Sequence, residues 1–173
     1  MGDAIVSHKK IVWNDFELDE CTFLNNDGIA TLKLSCQGNA NITNTVFEEN
    51  QAQLNLEIFK YKTSIIQRIP HAYPVIKFEN MFFKNNSGSS AMLDSRDLNV
   101  TNSVFDANNG YSLNISSLNR VTVSDSKFLN NSNDIPSVIS DGNATVENCI
   151  FTNNKSGSIE AKEGDIQVSN SKF

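Results

Sequence analysis

Carboxylates are the residues most able to do chemistry in this chain, because its twenty acids are accompanied by only two histidines, His8 and His71, and three arginines, Arg68, Arg96 and Arg120. Two acids about 5–10 Å apart can cleave a glycosidic bond, one as acid and the other as base or nucleophile. The nearest local pairs are Asp94 with Asp97 and Asp134 with Asp141, and neither has a His, an Arg or a third acid at a matching position. Catalysis is therefore not expected. The two histidines are far apart, and the acids follow no calcium-loop spacing. Cys21, Cys36 and Cys149 form no CxxC pair, so neither a metal nor another cofactor is expected, and no disulfide framework is visible.

Two other sets of residues could carry function. Asn-x-Ser/Thr acceptors for an N-linked glycan occur at Asn41, Asn85, Asn99, Asn114, Asn130, Asn143 and Asn154, a modest excess for this composition that points weakly to secretion. Of these, Asn41, Asn99 and Asn143 are expected to face outward, and the others to fall in bends. The stretch from Ile58 to Val75 has no acid but contains Lys60, Tyr61, Lys62, Arg68, His71 and Tyr73. A basic, aromatic loop on an acidic scaffold is a candidate partner-binding loop for a protein or a glycan. The favoured plainer reading is a flap packed on the coil flank through Ile65, Ile66 and Ile69.

The elements that hold these residues follow from a repeat. Phe is followed three places on by Asn at Phe23, Phe47, Phe83, Phe105, Phe128 and Phe151, and the chain ends on Phe173. The intervals between these Phe are 24, 36, 22, 23, 23 and 22 residues, so one interval carries an insertion, read as an inserted loop at about 58–75. Seven and five places before each Phe the residue is apolar throughout, from Phe16 and Leu18 to Ile166 and Val168. Three places before stands a polar residue, mostly Asn, suited to a bend. A weaker apolar pair follows the Phe, as at Ala91 and Leu93, Leu113 and Ile115, and Ile159 and Ala161. Alternation within short runs gives three short strands per repeat. The expected fold is all-β: a right-handed parallel β-helix solenoid of about seven coils of 22–24 residues, forming one domain over 1–173. Phe would stack inside, and Asn would pass hydrogen bonds from coil to coil, since a carboxamide both donates and accepts.

The segment Phe151-Thr-Asn-Asn154-Lys-Ser-Gly157-Ser-Ile159-Glu-Ala161 resembles the repeat of the polymorphic outer membrane proteins. The resemblance covers Phe16 to Phe173 apart from the insertion. It implies the pectin-lyase-like class of right-handed β-helix and an adhesive, surface-displayed role.

Composition narrows the alternatives. The 173 residues carry a net charge of −6, which disfavours binding to nucleic acid or an anionic membrane surface. Asn, Ser and Thr make up 54 residues against three Pro and eight Gly, a profile of bends rather than linkers. No run approaches the roughly 20 apolar residues of a membrane span, and Met1 to Ala4 lack the pattern of a signal peptide. The expected role is a non-enzymatic structural or adhesive segment of a longer, extracellular or cell-surface protein. A carbohydrate-active or glycan-binding β-helix is the alternative. Further coils of the same chain, or a neighbouring protein, are expected at the carboxy-terminal edge, where the last coil is open.

Overall fold

The computed structural model describes residues 5–6, 15–36, 38–60, 74–132, 134, 136–156 and 158–173. The chain coils into a parallel β-solenoid whose strands pair only with their copies one coil away. The first coil consists of β2 (Phe16–Asp19), β3 (Thr22–Leu24) and β4 (Ala30–Cys36). The second consists of β5 (Ala40–Thr43), β6 (Val46–Glu48) and β7 (Leu54–Lys60). Then follow β8 (Val75–Glu79), β9 (Phe82–Lys84), β10 (Ser89–Thr101), β11 (Val104–Asp106) and β12 (Leu113–Ser124). β10 and β12 are long because the third strand of one coil runs directly into the first strand of the next. The remaining strands are β13 (Lys127–Leu129), β14 (Val138–Ser140), β15 (Asn143–Glu147), β16 (Ile150–Thr152), β17 (Ile159–Ala161) and β18 (Ile166–Ser169). A short N-terminal strand, β1 (Ile5–Val6), pairs with β4. There are six complete turns and the start of a seventh, slightly short of the seven expected.

Register follows the Phe column. Phe23, Phe47, Phe83, Phe105 and Phe128 each lie opposite the next member of the series, which runs to Phe151. Successive ring centroids are 4.7–5.1 Å apart and nearly parallel, through to Phe173. That spacing is the strand separation of a sheet, so the backbone ladder sets the stacking. Burial of each ring contributes about 1.5–3 kcal/mol. Phe173 is stacked on one face only and stays 64% exposed.

Both bends need a left-handed backbone. At the first, φ is near +50° at Glu20, Asn44, Asn80, Asn102, Asp125, Asn148 and Asn170. At the second it is so at Asn25, Glu49, Asn85, Ala107, Asn130 and Asn153. Asn tolerates this region because its short side chain can bond locally. Close packing of coils shows at Gly110, where a Cβ would clash with the backbone of Gly88 and Ser89 one coil away.

The insertion is shorter than the sequence suggested. Ile58 is buried in β7 opposite Leu34 and Leu93, and Val75 already begins β8. Apolar alternation therefore carries the strand through to Lys60, so the interruption of the repeat begins after Lys60 and ends by Val75.

Candidate binding surface

Inside the solenoid the Asn column is a continuous hydrogen-bonded file. The Oδ1 of Asn50 accepts from both the backbone N–H and the Nδ2 of Asn26, each at 2.9 Å. The pattern repeats from Asn50 to Asn86, Asn86 to Asn108, Asn108 to Asn131 and Asn131 to Asn154. From Asn50 on, each Nδ2 also donates to a Phe carbonyl of the preceding coil, as from Asn108 to Phe83 at 2.9 Å. A second file runs through the small-residue column. Ser103 Oγ accepts from the Met81 N–H and donates to the Thr101 carbonyl, and Ser126 and Ser171 do the same for Ser103 and Cys149. These groups are structural, since their polar atoms are taken up by backbone and side-chain partners of their own and adjacent coils.

The outward positions carry what could meet a partner. On the first strand stack, Asp97, Arg120, Asn143 and Asp165 align in one column, followed by Asn99, Thr122, Thr145 and Gln167 in the next. Arg120, Asn143, Thr145, Asp165 and Gln167 line a polar depression of about 300 Å³. Across its rim the Asp165 N–H donates to Asn143 Oδ1 at 2.9 Å. Such a set offers carboxamide, hydroxyl, guanidinium and carboxylate groups side by side, able to bond a ligand rich in hydroxyls. On the third stack a smaller recess of about 90 Å³ is lined by Glu57, Phe59, Met92, Asp94, Asn114 and Ser116. There the Lys33 ammonium lies 5.1 Å from the centre of the Phe59 ring and pairs with Glu57.

The sequence showed no Arg matched to either acid pair, yet Asp97 has Arg120 beside it in its outward column. Asp94 and Asp97 straddle an irregularity between Ser95 and Asp97, which places them on different strand stacks. Asp97 is held by the Arg96 Nε at 2.9 Å and by the Asn119 Nδ2 at 2.6 Å, while Asp134 and Asp141 pair separately with Lys155 and Lys162. Among the described residues no three of His, Cys, Asp and Glu converge. Cys36 and Cys149 are buried, and that burial pushes both thiols up. Cys21 begins the same column as Cys149 but is half-exposed, because it sits in the first coil.

Of the candidate partner-binding loop, Lys60 is the last residue of β7, and Tyr61, Lys62, Arg68, His71 and Tyr73 lie outside the described residues, as do Ile65, Ile66 and Ile69. The Asn-x-Ser/Thr acceptors divide into distinct environments. Asn85, Asn99, Asn130 and Asn143 are exposed, Asn41 and Asn114 are half-buried on strands, and Asn154 is half-buried within the Asn file. Asn114 thus lies in β12 rather than in a bend. Comparison with known proteins finds no matching family model, no similar curated sequence and no similar solved structure.

Proposed function

We propose that this chain is a rigid, non-enzymatic β-solenoid segment of a larger secreted or cell-surface protein, serving as a spacer or an adhesive stalk. The observation that carries this reading is the uninterrupted Phe stack and Asn file, which tie every described coil to the next. A body in which each coil is locked to its neighbours resists bending and holds its outward residues at fixed spacing. The repeat's resemblance to polymorphic outer membrane proteins supports display at a surface. Stacking would continue at the carboxy-terminal edge: β18 pairs with β15 on one side only, and Ile166, Val168 and Phe173 are exposed there. A further coil of the same chain, or of a neighbouring protein, would cover them.

Antibody labelling of intact against permeabilised source cells tests the location, with surface staining expected. The purified chain is then incubated with a panel of polysaccharides. The appearance of new reducing ends or unsaturated sugars would overturn the non-enzymatic reading. A glycan-binding role is the second reading, favoured by the polar depression at Arg120, Asn143, Thr145, Asp165 and Gln167. It predicts retention of the chain on an immobilised polysaccharide and its loss on Gln167→Ala.

A further inference from the structure

From the sorting of the seven acceptor asparagines we infer that Asn85 bears a glycan in the folded protein and that Asn154 is incompatible with one. The inference rests on the secretory reading of the chain, because the donor would be a lipid-linked oligosaccharide pyrophosphate of a secretory pathway. In that transfer Asn85 Nδ2 loses a proton and bonds to the sugar's anomeric carbon, while the bond from that carbon to the pyrophosphate oxygen breaks and the lipid pyrophosphate leaves. No redox partner is required.

Four features favour a glycan on Asn85. It lies in the exposed second bend directly after β9, with φ of 52°, so its side chain stands on the outside of the corner. Its backbone N–H is held by the Asp106 carbonyl at 3.0 Å, while its carboxamide hydrogen bonds to nothing among the described residues. The same bend position one coil on is Ala107, whose methyl leaves room beside the corner. Ser87, two places later, is also exposed as a residue, with its hydroxyl donating weakly to the Asn50 carbonyl at 3.4 Å.

The other candidate in that column, Asn130, differs in being tied on both sides. Its Nδ2 donates to Asp106 Oδ1 at 2.9 Å, and its Oδ1 accepts from Asn153 at 3.2 Å. Asn41 has a buried Oδ1 on the strand face. Asn154 is the extreme case, because its Nδ2 donates to the Phe128 carbonyl at 2.9 Å and its Oδ1 accepts from Asn131. A sugar on that nitrogen would have to occupy the space between the coil walls, where packing leaves no void for it.

The test is secretion of the chain behind a heterologous leader from a eukaryotic host, isolation of the folded monomer and mapping of occupied asparagines by mass spectrometry after enzymatic deglycosylation. Occupied Asn85 and unoccupied Asn154 are expected. Asn85→Gln and, separately, Ser87→Ala should each remove one glycan's mass while the secreted yield and circular dichroism spectrum are kept. Folded monomer with Asn85 bare and its acceptor motif intact, or with a glycan on Asn154, would overturn the inference. The leader is imposed, so the native protein's own location does not enter the outcome, and failure of the secretory reading would be seen separately in the cell-labelling experiment.

Discussion

Truncating one rung of the internal Asn file, Asn108→Ala, should cost far more than its chemistry suggests for a polar residue. The Asn108 side chain accepts from the Asn86 N–H and Nδ2 at 3.2 and 2.9 Å, and donates to the Phe83 carbonyl and Asn131 Oδ1 at 2.9 and 3.3 Å. All of these atoms belong to buried residues, and Asn108 itself is fully buried. Asn131 Oδ1 keeps the Asn108 backbone N–H at 3.0 Å, so the groups losing a partner outright are the Asn86 N–H and the side-chain bond to Phe83. Each buried group left unsatisfied costs about 1–3 kcal/mol, which with the small cavity gives a loss of about 3–5 kcal/mol. The reference is Asn102→Ala in the exposed file at the first bend, where Asn102 Nδ2 donates to Asn80 Oδ1 at 2.6 Å. There water replaces the lost partner, and the left-handed backbone penalty of about 1–2 kcal/mol is the main term. Urea unfolding followed by circular dichroism measures both. A third variant, Asn108→Asp, keeps size and an acceptor but sets a carboxylate against the Phe83 carbonyl and Asn131 Oδ1. Burial raises the folded pKa of that carboxyl, so stability should be lost as pH rises through it and partly regained in mild acid. Equal shifts of the urea midpoint for Asn108→Ala and Asn102→Ala would refute the reasoning, since the file would then add nothing beyond the bend conformation.

Phe105→Ala should destabilise by about 3–5 kcal/mol because the ring is stacked on both faces, whereas Phe173→Ala, with one stacked face, should shift the thermal midpoint far less. Glu49→Asn should stabilise by about 0.5–1 kcal/mol, because Glu49 occupies a left-handed position (φ 54°) that Asn tolerates better; a lower urea midpoint would contradict this. A disulfide thiol reagent at mildly alkaline pH should titrate Cys21 first in the native chain and all three thiols only after unfolding, since burial keeps Cys36 and Cys149 protonated. Asp19 accepts from the Thr43 hydroxyl and the Asn44 amide, which hold its carboxyl below the usual range. Its folded pKa is depressed, so its contribution is present above the unfolded value and fades as pH falls through the folded one; Thr43→Val should move its NMR titration upward.

The Phe and Asn columns were legible in the sequence because their spacing to the strands before them is fixed: two strands and a tight bend leave no slack. The third apolar pair was read only in part, because the second bend varies in length. Leu32, Leu56, Ala91, Leu113 and Val138 lie in one column, yet stand at different distances from their Phe. Left-handed geometry at the second bend was also hidden, since Glu49 and Ala107 give no sign of it. The bend is imposed there by the neighbouring coils, a case of tertiary context overriding local preference. At the surface, the ion pairs of Lys33 with Glu57 and Lys84 with Glu48 join residues on adjacent coils, and the outward depression depends on such cross-coil register. Only the strand pairing could reveal these.

The Asn file has a direction. Along the file each carboxamide from Asn26 to Asn131 donates from Nδ2 to the Oδ1 of the next coil, and each from Asn50 to Asn154 accepts at its own Oδ1 from the coil before. A coil therefore presents the same acceptor-below, donor-above pattern whatever its neighbours are, and whole coils are interchangeable as building units. Asn50 and Asn86 stand 36 residues apart in the sequence, yet the side-chain bond between them is 3.1 Å, like those elsewhere, and the rings of Phe47 and Phe83 remain 4.8 Å apart. Duplication or deletion of a complete repeat would thus leave every junction chemically unchanged, and a detour of any length on the outside would be invisible to the interior. Cutting within a repeat would not. Gene-level rearrangements in phase with the Phe spacing are then free to set the molecule's reach in steps of one strand separation, while the outer loops diversify independently.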